Sequence, residues 1–448
     1  MKKSLLIVLS MLLVMGFATT VFAVHAEIPA ETQSVVAKGT TQITLGGQVR
    51  VRGFYQNNLD FNDDVGDNYS ILETSVRLKL DAQVTPNTQA MVEIRDTKTG
   101  GDDDFTWGDD SGGFNDSNGI YTKGGEAMGD GTGNLQFIQA WIQSKNLFGT
   151  PLGIKLGHMP IQLGDGLFFS HTKNGDDAIL LFADPMKELH VALANVKFQE
   201  GTTTLNDDSN AYVALSTYKG AGFNLSGDVT YINDQDNGAA AGTQALHFWN
   251  VGLRGDTKVA GLGLKADVEL QTGKLKATTE TKYKGYAVLV GADYTVNNID
   301  LGLQYAYGKG DDGDTSDKYE GFVTIVDNTW HSAYNPWIYE YRVAGGSGTT
   351  LDGISNTQSL RGTIGSKVTK DLSGKLYLWW LKVPDPGSNV DDEAGYEIDW
   401  DVKYKIDKNL TYFVEGGYLF AGDYYKTITG TRSPDNPWAV RHGVTLSF

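Results

Sequence analysis

The stretch from Trp438 to Phe448 reads W-A-V-R-H-G-V-T-L-S-F. Val440, Val444, Leu446 and Phe448 share one face of an extended strand, with His442 the one polar exception, and Arg441, Gly443, Thr445 and Ser447 share the other. The last residue is aromatic and still belongs to the strand. Chain ends are usually poorly held. A terminal strand with one apolar and one polar face therefore needs a partner on its open edge, and in lipid an unpaired edge is not tolerated. The expectation is that this strand closes a barrel by pairing with the first.

At the other end, Lys2 and Lys3 precede an apolar run from Leu5 to Phe17, followed by small-residue exits at Ala23 and Ala26. This pattern predicts a secretory signal peptide over residues 1–26, cut after Ala23 or Ala26. The run is shorter than the roughly 20 residues a spanning helix needs. Residues 27–40 then form a periplasmic lead-in, with a short helix expected over Ala30 to Ala37, and the barrel occupies 41–448. The chain has no cysteine, which excludes a disulfide framework, a thiolate metal site and covalently attached c-type haem. Its formal charge of −18 argues against a nucleic-acid partner.

Segments of about ten residues alternate in polarity and end in turn residues, the signature of barrel strands. From Leu72 to Val84 one face carries Leu72, Thr74, Val76, Leu78, Leu80, Ala82 and Val84, and the other carries Glu73, Ser75, Arg77, Lys79, Asp81 and Gln83. The charged face must meet water. In the first strand Ile43, Leu45, Val49, Val51 and Tyr55 face out while Gln48, Arg50 and Arg52 face in. Eight short turns alternate with nine longer connections, which predicts an all-β transmembrane antiparallel barrel of about 18 strands. Short turns lie on the periplasmic side and long loops outside. Between residues 163 and 198 apolar runs blur the alternation.

Three connections stand out. The loop from Thr97 to Gly133 holds seven Asp and one Glu against two Lys. It reads either as a solvated fringe or as a weak divalent-ion site. It lacks the D-x-[DN]-x-[DN]-G calcium signature, as do Asp311, Asp312 and Asp314 further on. The loop from Lys309 to Asn356 carries Trp330, His331, Tyr334, Trp337, Tyr339 and Tyr341, and a loop this long is usually functional or folded on itself. Trp330, Tyr334 and Trp337 are candidates for solute contact, or for the loop's own small core. Between Gly157 and Phe169, Pro160 removes a ladder donor while Gly164 and Gly166 permit unusual backbone angles. That segment either folds inward and narrows the pore or forms a bulge at the rim.

Inward positions of a barrel line its lumen, where fixed charges attract counter-ions. Arg50, Arg52, Arg77, Lys79 and Arg95 fall inward on the first three strands. Arg441 joins them across the seam, and Glu73, Asp81 and Glu93 interleave. An opposing acidic set comprises Asp267, Glu269, Glu397, Asp399, Asp401 and Glu415. The set is either a structural network of cross-pairing charges or a transverse field whose arginine wall favours anionic solutes, to which the planar guanidinium fork is suited.

The run Gly395-Tyr396-Glu397-Ile398-Asp399-Trp400, then Tyr404, Leu410, Gly416 to Phe420 and Gly422-Asp423-Tyr424, resembles the carboxy-terminal pattern of the alginate-export-like porins. Gln139-Ala140-Trp141, Gly157, Gly164-Asp165 and Asp176-Asp177-Ala178 resemble that family's pattern in its first third. The resemblance implies an eighteen-stranded barrel in the outer membrane of a Gram-negative bacterium, acting as a passive channel. It does not imply alginate as the solute.

The function expected is therefore a porin, a diffusion channel for ions and small hydrophilic solutes, anionic or carbohydrate. The alternative is a structural sleeve around a partner such as a multihaem cytochrome. Neither G-x-S-x-G nor H-E-x-x-H occurs and the seven histidines are scattered, so no catalytic residue, metal site or cofactor is expected. The partners expected are outer-membrane lipid, lipopolysaccharide, the barrel assembly machinery and small solutes, with a homo-oligomer left open.

Overall fold

The computed structural model describes residues 34–38, 41–61, 68–98, 105–106, 133–201, 208–235, 245–277, 279–313, 317–326, 334, 336–343, 353–430 and 433–448. The expected signal peptide, the acidic triplet Asp102 to Asp104, Asp314, Trp330 and His331 lie outside them.

Among the described residues eighteen long strands succeed one another. They are β1 (Thr41–Asn57), β2 (Tyr69–Gln83), β3 (Thr88–Lys98), β4 (Gly133–Ser144), β5 (Leu152–Gln162) and β6 (Phe169–Met186). Next come β7 (Leu189–Gln199), β8 (Ser209–Lys219), β9 (Phe223–Asp234), β10 (Ala245–Val259), β11 (Leu262–Lys276) and β12 (Tyr286–Val296). The last six are β13 (Ile299–Gly308), β14 (Thr357–Lys367), β15 (Leu372–Lys382), β16 (Glu393–Lys405), β17 (Leu410–Ala421) and β18 (Trp438–Ser447). Each pairs antiparallel with the next. β18 returns to β1, with Gln48 opposite Ser447 and Asn57 opposite Trp438, and Phe448 exchanges backbone hydrogen bonds with Gly47. The sheet is a closed barrel without a free edge, and short and long connections alternate between its two ends.

The outer face is apolar and uncovered. Leu193, Leu253 and Leu303 are 60%, 57% and 58% exposed, and Ile142, Ile179, Leu270 and Ile364 are exposed beside them. Surface of that kind around a whole barrel is stable only in hydrocarbon. Tyr212, Tyr231 and Trp249 form an aromatic row on adjacent strands, the Tyr231 and Trp249 ring centroids 4.6 Å apart, as interfacial girdles do.

Two local expectations change. Residues 34–37 are not helical: Ser34–Lys38 is a strand antiparallel to Thr41–Leu45. β18 ends opposite Gln48 and Phe448 reaches Gly47, so without this lead-in strand the first five residues of β1 would keep an open edge. The blurred alternation between 163 and 198 also has a physical cause. Ala178 and Val196 face inward and are buried, because they pack against chain folded into the lumen rather than against water.

Candidate functional site: the barrel lumen

Strand register sets which side chains enter the lumen. Arg50 and Arg52 lie opposite Ser75 and Glu73, Arg77 opposite Arg95, and Lys79 opposite Glu93. All of these share the inward parity of the buried Phe54. Glu415 and Arg441 face each other across β17 and β18, and Asp401 lies opposite Glu415. The fifteen charged positions read from the sequence thus share one inner surface.

Their surroundings differ. Arg52 Nε meets Glu73 Oε2 at 2.5 Å, and Arg441 Nε meets Glu415 Oε1 at 2.5 Å with its guanidinium over the Trp337 ring. Arg95 is buried and donates to Gln136 Oε1 and Asn174 Oδ1. Glu93 accepts from Gln139 Nε2 at 2.8 Å, and Asp401 pairs with Lys403. Glu397 and Asp399 act as anchors. Glu397 accepts the Ile338 and Tyr339 N–H groups at 2.6 and 2.9 Å, and Asp399 accepts those of Trp337 and the Trp379 indole. Arg50, Arg77 and Lys79 stay half-buried on the β1–β2 face.

Two segments of the chain's own loops enter the lumen. The first runs from 163 to 168. Pro160 interrupts the β5 ladder with a register shift between Met159 and Ile161, and Gly164 and Gly166 take φ of 53° and 78°, so the chain bulges and then turns inward. Leu163, Leu167, Phe168 and Phe169 are buried there against Phe248, Leu289 and Ala306. At its tip Asp165 accepts from Arg254 Nε at 2.7 Å and Lys265 Nζ at 2.9 Å on the far wall, and its own N–H donates to Asp267 Oδ2. Burial works to raise the Asp165 carboxyl, but the Lys265 ammonium and the Arg254 guanidinium outweigh it and hold it below the ordinary carboxylate range.

The second comes from the 309–356 connection, among whose described residues are Tyr334 and Trp337–Val343. Its turn Trp337–Val343 is docked against β16 and β17 by Glu397 and Asp399, and packs with Phe54, Phe61, Trp379, Leu419 and Tyr425. Tyr334 donates its hydroxyl hydrogen to Gly166 O at 2.9 Å, tying the two segments together. Tyr334, packed with the 163–168 segment, and Trp337, packed on the barrel wall, are therefore buried and do not offer open rings to a solute. Among the described residues no group of three or more His, Asp or Glu is arranged to hold a metal ion, and Asp311 instead accepts the Glu320 N–H.

Sequence reasoning missed Arg254, Lys265 and Arg361. All three sit at inward parity, and Arg361 donates to Gln304 and lies 5.2 Å from the Trp379 ring centroid. Parity alone would have found them. The partner of Asp165 carries no such signal, because it is 89 residues distant and set by the inward fold.

The model of the alginate export family matches residues 41–341, more than half of the chain. The chain belongs to the alginate export family. The matched stretch includes the Gln139-Ala140-Trp141 and Asp176-Asp177-Ala178 runs, and it ends before the Gly395 to Trp400 run. Solved Pseudomonas aeruginosa outer-membrane porins share the fold at low identity. OpdL is 11% identical over 91% of this chain and 98% of its own (TM-score 0.56), and OccK2 (OpdF) is 12% identical over 91% and 97% (0.58). OpdK, solved with vanillate, is 11% identical over 90% and 98% (0.53). No curated protein matches the chain. Barrel, apolar belt and family together make this an outer-membrane protein with a porin-like channel fold, in contact with membrane lipid.

Proposed function

We propose that the chain is a passive diffusion channel for small hydrophilic solutes, and that its β1–β2 wall favours anionic ones, carboxylated saccharides included. The observation that carries this is the half-buried row Arg50, Arg77 and Lys79, which adjacent strands β1 and β2 present on one inner wall. A guanidinium row in a narrowed, low-dielectric passage concentrates counter-ions and matches a carboxylate's two oxygens. One structural neighbour was solved with vanillate, itself a carboxylate. The sleeve alternative needs an open bore, whereas the 163–168 and 337–343 segments occupy this one. The same reading implies assembly by the barrel machinery and a lipopolysaccharide surround.

Planar-bilayer measurements under a salt gradient test it. Anion preference is expected, shifting toward cations in Arg50→Ser and Arg77→Ser. Cation preference that neither substitution moves refutes the proposal.

A further inference from the structure

A cell of acids with too few cations lies under the 163–168 segment. Asp228 on β9 and Glu269 on β11 flank Gly252 on β10 in one register row. A Cβ added to Gly252 would lie 2.7 Å from Asp228 Oδ1 and 2.8 Å from Glu269 Oε2, so both carboxyls lean over that residue from opposite sides. Asp228 is 5% exposed and Glu269 is fully buried. Asp228 Oδ2 and Glu269 Oε1 have no hydrogen-bond partner, and Glu269 Oε2 receives one bond, from Asn250 Nδ2. In the next row Thr230, also fully buried and at the same inward parity, has a hydroxyl without a partner.

The charged groups facing this cell are few. β10 brings Arg254 and Asp256, β11 brings Lys265 and Asp267, and the inward segment brings Asp165. Both cations are engaged by Asp165, and Arg254 also by Asp256. Asp267 lies beside them in register and receives the Asp165 N–H. Among the described residues no cation pairs with Asp228 or Glu269. Two neighbouring carboxylates buried without a counter-ion are too costly to keep ionised. Among the described residues no metal-ligand group includes the cell, and protons held by the two carboxyls would satisfy their unpartnered oxygens without a counter-ion.

We propose that Asp228 and Glu269 form a proton-binding site beneath the 163–168 segment, and that losing those protons lifts the segment and widens the lumen. Ionising both would add two negative charges beside Asp267 and Asp165, the residues through which the segment is docked. The lifted state exposes the acids to water, where they titrate in the ordinary carboxylate range. Their contribution to docking is therefore full below that range. It falls as pH rises above it, about tenfold in the docked-to-lifted ratio per pH unit for each proton released, until the acids ionise in place. The inference deepens the channel reading and rests on it for the conductance readout alone.

The test uses the whole barrel in planar bilayers and in detergent. The frequency of widening events should rise at least tenfold as pH is raised from about 5, just above the ordinary carboxylate range, to beyond neutrality, and Glu269→Gln and Asp228→Asn should flatten that rise. A pH-independent record, or an unchanged rise in both variants, overturns the proposal. So does a shift of the transition by calcium or chelator at fixed pH, which assigns the cell to a metal ion. Difference infrared spectroscopy of the wild type gives a second readout that needs neither a folded variant nor channel activity. A protonated-carboxyl band at neutral pH is expected, and its absence overturns the inference while leaving the channel reading intact.

Discussion

Replacing Asp165 by Asn isolates the docking of the inward segment. The variant keeps the side chain's size and the backbone N–H that Asp267 accepts, and removes the charge on which Arg254 and Lys265 converge at 2.7 and 2.9 Å. Its side chain is 11% exposed while its partners are about a quarter exposed. Breaking a fully buried pair costs about 3–5 kcal/mol, and partial exposure of the cations lowers the expectation to about 2–3 kcal/mol. Burial of Leu163, Leu167 and Phe168 contributes roughly 1.5–3 kcal/mol each, so the segment stays mostly docked. The expected result is not a permanently wide pore but openings roughly 30- to 160-fold more frequent. Single-channel recording reads that frequency directly. Adding Arg254→Gln should cost less in the Asp165→Asn background than in the wild type, because the bond is already lost. Fully additive effects, or an opening frequency within threefold of wild type, would refute the latch.

Low pH should act on the same latch. Asp165 titrates below the ordinary range, so its contribution is complete above about pH 4 and is lost as pH falls through that depressed value. Acid should therefore raise opening frequency in the wild type and leave Asp165→Asn unchanged on this account. Glu397→Gln removes one of the acceptors for the Ile338 and Tyr339 N–H groups at a buried position, a cost of about 1–3 kcal/mol. Limited proteolysis should cut within 336–343 faster in that variant, with heat-resistant mobility of the barrel retained. Gly47→Ala would bring a Cβ to 2.6 Å from the Phe448 ring at the seam, and the overpacking should cost about 1–3 kcal/mol, read as a lower temperature of gel-mobility unfolding.

Strand number, closure and facing were legible in the sequence because each rests on a local rule. Parity assigns a face, as it does for Leu72 to Val84, and the terminal strand's two faces demand a partner. The charged lumen set emerged by the same rule, since Arg50, Arg77 and Arg441 need only their own strand to be placed. Parity does not say what lies opposite a residue in the lumen. It left open whether Tyr334 and Trp337 contact solute or are packed away, since a loop's aromatic content is the same whether it packs inward or stands open. Near Val196 the rule itself weakened, because an inner wall that packs against chain has no reason to be polar.

By itself, the sequence determined a closed, lipid-facing barrel with charged side chains on its inner face, since alternation along a strand is a property of neighbouring residues. Only the tertiary structure decided that the lumen is partly filled. The Asp165 latch joins residues 89 and 100 positions apart, and Asp228 and Glu269 meet over Gly252 from two strands that are separated by β10. Contacts between a loop and a distant wall depend on where the chain returns after leaving the sheet, and no local periodicity records that path.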